Sequence, residues 1–252
     1  MNTYPLLTRF WLEYRQVWQA LLARDLLDRL VFLAAFGFGM GAIVKHMGEF
    51  SYLSYVATGI VCSSPMMTMT MAGTYGAFER FNSSRVWQSW LATPLTLRDI
   101  LLAEIVYANV RAMPSVFILL GLVWALGELP NPWGILPAVP LLMLTNMVYG
   151  SVALCFTATT TRILYFAYVN TLWMMPMYLF SGVFYDLAQA PWWLQALANI
   201  YPLTHVLNVV RPLLLGQPVE LTTMLLDVAI LLAAFVVTFA YAVWKFKQRL
   251  LA

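Results

Sequence analysis

The chain has 252 residues, 62% of them hydrophobic and only 10% charged, with a formal net charge of +3 and a mean hydropathy of +0.76. So little polar surface cannot cover a water-soluble globule, which predicts an integral membrane protein. Several apolar stretches reach the roughly 20 residues that a spanning helix needs, so an all-α bundle is favoured over a barrel.

Leu6, Leu7, Phe10, Trp11, Tyr14, Val17, Trp18, Leu21 and Leu22 step along one helical face, with Arg9, Glu13, Gln16 and Gln19 opposite. That pattern predicts an N-terminal amphipathic helix over residues 5–23 lying in the membrane interface. The first span follows, roughly Leu26 to Val44. Arg24, Asp25, Asp28 and Arg29 precede its apolar run and no clear cleavage site comes after, so it is expected to stay in the mature protein. Gly37 and Gly41 form a GxxxG pair that lets another helix approach, within the subunit or across a dimer. An uncharged second run reaches from Tyr52 to Phe78 with Pro65 in its middle, where Ser63, Ser64 and Thr68 can satisfy the freed backbone.

The polar stretch Ala77 to Glu104 interrupts these spans. Within it Val86, Trp87, Trp90 and Leu91 share a helical face opposite Arg85, Gln88 and Ser89, predicting a short helix started by Asn82, Ser83 or Ser84 and ended by Pro94. Thr96 to Asp99 is a capping-box pattern that opens the next helix. A third span runs from about Tyr107 to Leu126, with Arg111 near enough to its end to snorkel. A fourth covers Gly134 to Ala158. The fifth, Ile163 to Phe184, is unusually aromatic and includes Tyr165, Tyr168, Trp173 and Tyr178. Those rings either pack or line a path for an amphipathic substrate. Between Asp186 and Glu220 four prolines leave only short apolar pieces, read as two re-entrant half-helices, Pro191 to Ile200 and His205 to Leu215, within a segment 188–217. The last span is Thr223 to Trp244.

This six-span layout puts Arg9, Arg15, Arg24, Arg29, Arg80, Arg85, Arg98, Arg111, Arg162, Lys245, Lys247 and Arg249 on one side, and Lys45 and Arg211 on the other. The positive-inside rule makes the first side cytoplasmic, with both termini. The basic excess belongs to these loops and does not point to nucleic acid. The chain has no P-loop, no G-x-S-x-G elbow and no H-E-x-x-H, and its spans show no cluster of carboxylates or histidines suited to proton coupling or catalysis. Cys62 and Cys155 lack metal or disulfide spacing, and His46 and His205 are far apart, so neither a metal site nor a catalytic residue is expected.

The runs Thr74 to Arg80 (TYGAFER), Trp87 to Leu95 (WQSWLATPL), Leu97 to Ile100 (LRDI) with Glu104, Tyr201 to His205 (YPLTH) and Arg211 to Leu213 (RPL) carry a resemblance over almost the whole chain. It resembles the permease subunits of type-2 ATP-binding-cassette exporters, and within them the NodJ branch associated with nodulation-factor lipooligosaccharide export. Ala103 stands where that pattern has glycine. The resemblance implies one permease domain spanning 1–252, paired with a second copy and with two ATPase subunits that bind ATP and Mg; this chain would hold no cofactor. It further implies a bacterial inner membrane, a coupling helix at 79–93 whose Glu79, Arg80, Phe81, Arg85, Trp87 and Trp90 meet the ATPase, and a path between the first and fifth spans. The segment with Pro202, His205 and Arg211 would form the external gate. The substrate would be a lipid-linked or acylated saccharide, or else a hydrophobic drug-like molecule. A self-contained channel or membrane enzyme is the competing class.

Overall fold

The computed structural model describes residues 4–251, which are almost entirely helical. The first helix, α1, runs Tyr4–Phe32 and continues as a π-helix through Leu33–Met40. Between Leu6 and Phe36 the chain has neither glycine nor proline, so nothing stops the helix at residue 23. The interfacial helix expected at 5–23 and the first span are therefore one unbroken helical run. A minimal hairpin follows, with β1 (His46–Met47) antiparallel to β2 (Phe50–Ser51), and His46 pairs with Ser51.

The second helix, α2, covers Tyr52–Met71, capped by the Ser51 hydroxyl on the Ser54 amide, and goes on through π turns at Ala72–Gly76 and Glu79–Ser83. The short α3 is Val86–Leu91. The 29-residue α4, Leu97–Ala125, starts at the expected capping box: Thr96 Oγ1 accepts from the Asp99 amide at 3.3 Å, and Asp99 Oδ2 accepts from the Thr96 amide at 3.1 Å. After it come α5 (Ile135–Thr159), then α6 (Phe166–Val169) and α7 (Met175–Phe180) joined by a π turn, and α8 (Trp192–Ala198). The last two are α9 (Pro202–Leu215) and α10 (Leu221–Leu251). The half-helices read from the prolines thus exist as α8 and α9.

Among the described residues, four helical stretches are long and apolar enough to cross a membrane: Leu97–Ala125, Pro132–Thr159, Ile163–Phe180 and Leu221–Leu251. The other two expected spans are helical but more polar. Asp25, Asp28 and Arg29 interrupt the first, and hydroxyls, glycines and Pro65 dilute the second.

The core runs along α2, α4, α5 and α9, where Val56, Val61, Ile100, Ile105, Leu142 and Val210 are buried. Gly37 packs against Leu53 of α2, where a Cβ would clash, so this half of the GxxxG pair serves a contact within the subunit. In contrast, α10 keeps Leu225, Val236 and Val237 exposed. That is the surface a helix presents to lipid, since apolar side chains gain nothing by leaving hydrocarbon.

Candidate functional site

The loop joining α2 to α4 is built on an aromatic cluster. Trp87 is fully buried, 5.4 Å from Phe81 and 5.0 Å from Phe246 of α10, centroid to centroid. Its indole N–H donates to Glu104 Oε1 at 3.1 Å. Arg80 Nε donates to the same oxygen at 2.6 Å, and Arg80 Nη2 donates to Glu104 Oε2. Burial works against the Arg80 cation, but the Glu104 carboxylate outweighs it and holds the Arg80 pKa above its ordinary value. Trp90 meets Phe10 of α1 edge-on at 5.7 Å, with the Arg9 guanidinium 5.3 Å from the Trp90 ring. Phe10 in turn stacks on Tyr107 at 4.5 Å. From the other side, Arg249 lies over Phe81 at 4.9 Å and donates to the Thr157 and Thr160 carbonyls at 2.9 Å.

These contacts revise the sequence reading of 79–93. Glu79, Arg80 and Phe81 are the end of the long second helix, and the expected serine or asparagine cap is absent. Instead the Ser84 amide and hydroxyl return to the Glu79 carbonyl, and Arg85 turns the chain with φ +52°. A non-glycine side chain there costs about 1–2 kcal/mol, and such strain clusters at functional positions. Phe81, Trp87 and Trp90 are buried inside the chain, so they support the loop and offer no outer surface to a partner. The loop exposes Glu79, Arg85, Gln88 and Ser89, together with Asn82, Ser83, Ser84 and the turn at Ala92, Thr93 and Pro94.

A cavity of about 400 Å³ lies between α1, α2 and the α6–α7 run. Arg29, only 7% exposed, sits beside the middle of α2 and donates to the Ser64 carbonyl at 2.6 Å and Thr68 Oγ1 at 2.8 Å. The charge pattern of the sequence places it on the basic loop side; the structure turns it inward. Of the four aromatic residues proposed for the path, Tyr178 lines this cavity. Trp173 instead packs edge-on against Tyr201 at 5.7 Å, and Tyr165 and Tyr168 are on the outer surface.

At the opposite end of the bundle, Arg211 Nη1 donates to Tyr55 Oη at 2.9 Å and to the Gly182 carbonyl at 3.0 Å, and Nη2 donates to the Val183 carbonyl at 3.1 Å. Gly59 makes room for this knot, because a Cβ there would lie 2.7 Å from the Val183 carbonyl oxygen. His205 Nδ1 pairs with Asp227 Oδ1 at 2.6 Å, while Nε2 faces the Asn199 carbonyl at 3.0 Å. This hydrogen-bonded pair joins α9 to α10, and the sequence reading did not anticipate it. Pro202 occupies the first turn of α9, where its missing N–H costs nothing. Of the three residues expected at an external gate, Arg211 and His205 each join different elements, and no hydrogen bond links the two.

The sequence reading missed Phe246, Asp25 and Asp28, and used Glu104 only as part of a motif. A lone carboxylate in the apolar run Ile100 to Ala108, and charges at 25, 28 and 29 opening another, were the available signals.

A loop helix seated on three long helices and exposing a charged outer edge, on a bundle of apolar helices, is the frame of a transport permease. Residues 2–215 match the ABC-2 type transporter family, and the chain belongs to it: it is a membrane permease subunit of an ABC exporter. It is 28% identical over 251 residues to Nodulation protein J of Rhizobium leguminosarum bv. viciae, covering 100% of this chain and 96% of that protein. With Nodulation protein J of Bradyrhizobium diazoefficiens it shares 32% identity over 243 residues, 96% of this chain and 92% of the relative. A more distant relative, 26% identical over 198 residues, is a daunorubicin resistance ABC transporter permease protein from Streptomyces coeruleorubidus, with 74% of this chain and 66% of that protein covered.

Proposed function

We propose that this chain is the membrane half of a bacterial inner-membrane exporter, working as a homodimer with two ATPase subunits that bind ATP and Mg. In this reading six helices span the membrane, both termini are cytoplasmic, and an acylated or lipid-linked saccharide moves outward. The first and fifth spans flank the path, and the segment around Pro202, His205 and Arg211 is its outer gate.

The observation that carries the reading is the loop's division of labour. Its exposed edge, Glu79, Arg85, Gln88 and Ser89, is rigidly backed by Trp87 and by the Arg80–Glu104 pair. A push on that edge passes directly into α4, which carries Glu104, and into α10, which carries Phe246. The role of these residues is mechanical, and the chemistry of ATP belongs to the partner. Replacing Glu79 with Ala, Arg85 with Gly and Gln88 with Ala should leave the permease folded, since glycine suits the positive φ at position 85. It should also release the co-purifying ATPase and abolish export. Retention of the ATPase with unchanged export would refute the reading. The similarity to a drug-resistance permease favours a second reading in which the cargo is a hydrophobic drug-like molecule.

A further inference from the structure

The cavity between α1, α2 and the α6–α7 run has two unlike walls. One is apolar and deformable, made by Phe32 with Met67, Met71, Met174 and Met175. Methionine is unbranched and polarisable, so such a wall accepts apolar bodies of varied shape. The other wall is polar but unevenly satisfied. The Arg29 guanidinium is spent on α2 and on the Asp25 carbonyl, and Thr68 Oγ1 donates to Asp25 Oδ2 at 3.0 Å. Among the described residues the Asp28 carboxylate accepts no hydrogen bond, although Arg29 is close enough to act on it electrostatically. Ser64 lines the cavity but is only 4% exposed, and its Oγ, which has no partner, is closed off from the open volume. Two carboxylates against one guanidinium leave the lining with a formal charge of −1. The volume falls in the range of small-molecule sites, roughly 300–1,000 Å³.

We propose that this cavity selects the transported molecule by a head rich in hydrogen-bond donors and free of negative charge. Hydroxyl, amide or ammonium groups of the head meet Asp28 and Asp25, and the apolar body lies on the methionine wall. An anionic head is rejected, because Asp25 and Asp28 repel it and the one guanidinium is already engaged. The proposal rests on the export reading and narrows it: a neutral glycolipid or a lipophilic cation qualifies, and an anionic lipid does not.

The test uses the full-length permease in phosphatidylcholine nanodiscs, with fluorescence anisotropy of three probes: a fluorescent acyl glucosamine, rhodamine 6G as a lipophilic cation, and a fluorescent acyl sulfate. At least one of the first two should bind, and the sulfate should bind about tenfold or more weakly. Asp28→Ala, which removes both the charge and the acceptor, should weaken whichever probe binds. Asp28→Asn separates the two sources, because it keeps an acceptor for hydroxyls but removes the charge: cation binding should fall about tenfold and saccharide binding should largely persist. Unfolding temperatures of both variants, which alter no protein–protein hydrogen bond of the Asp28 side chain, check that they fold. Equal binding of the sulfate, binding of none of the probes, or indifference of the bound probe to both substitutions would overturn the proposal. Co-purification of the ATPase is scored separately, so a failed site with a retained ATPase leaves the export reading standing. A functioning site with no ATPase would instead refute that reading.

Discussion

Trp87 donates its indole N–H to Glu104 across 3.1 Å, and this one carboxylate also anchors Arg80 at the end of the second helix. The loop and α4 therefore move as one body. Glu104→Ala would leave Arg80 partly buried without its partner, at a cost of about 3–5 kcal/mol. Trp87→Ala would open a cavity against Phe81 and Phe246 at a similar cost of about 3–5 kcal/mol. Both variants should lose folded protein on fluorescence-detected size exclusion. A stable Trp87→Ala permease that merely sheds its ATPase would show that Trp87 reaches the partner after all.

The aromatic residues of the fifth span should divide by location. Tyr168 is 63% exposed and does not line the cavity beside Arg29, so Tyr168→Ala should leave both the unfolding temperature and the export rate close to those of the parent. Tyr178→Ala, in the cavity wall, should change export while the complex still hydrolyses ATP. Trp173→Ala should lower the unfolding temperature by removing its contacts with Tyr201 and Phe156. Identical behaviour of all three would contradict this assignment.

Arg211 ties α9 to Tyr55 of α2 and to two carbonyls of the 182–183 turn. Hydrogen bonds to a charged group contribute about 1.5–3 kcal/mol each, so Arg211→Ala should be strongly destabilising and Arg211→Lys only partly rescuing, because a point ammonium lacks the fork. Gly59→Ala should weaken the same knot by pushing Val183 away. Thermal unfolding of the three variants in one detergent gives the ranking, and an unaffected Gly59→Ala would remove the close approach from the argument.

At the start of α4 the Thr96 hydroxyl and amide hold the Asp99 carboxyl below its ordinary pKa. Stability from this cap is fully present above the unfolded carboxylate value of about 3.9 and is lost as pH falls through the lower folded value. Asp99→Asn should thus lower the unfolding temperature at pH 7, with the difference from the parent shrinking below about pH 4. A pH-independent difference would mean that the carboxylate charge has no part in the cap.

Ser83 and Gln189 are both exposed, at opposite ends of the bundle. In a background with Cys62 and Cys155 replaced, a cysteine at 83 should resist an impermeant thiol reagent on intact spheroplasts, and one at 189 should label. The reverse pattern would invert the proposed orientation.

Local rules were enough for much of the architecture. Composition makes this a membrane protein, Thr96 and Asp99 place the start of α4, and the prolines at 191, 202 and 218 mark out α8 and α9, because caps and prolines act within a few residues of themselves. The amphipathic pattern at 86–91 likewise required its tryptophans to leave water. It could not say what would cover them: Phe246 of α10, near the end of the chain, covers Trp87, and Phe10 of α1 covers Trp90. The same holds for Arg29 on Thr68, His205 on Asp227 and Arg211 on Tyr55, pairs separated by 39, 22 and 156 residues. A buried charge announces in the sequence only that it needs a partner; which one it receives depends on helix packing that no local spacing encodes.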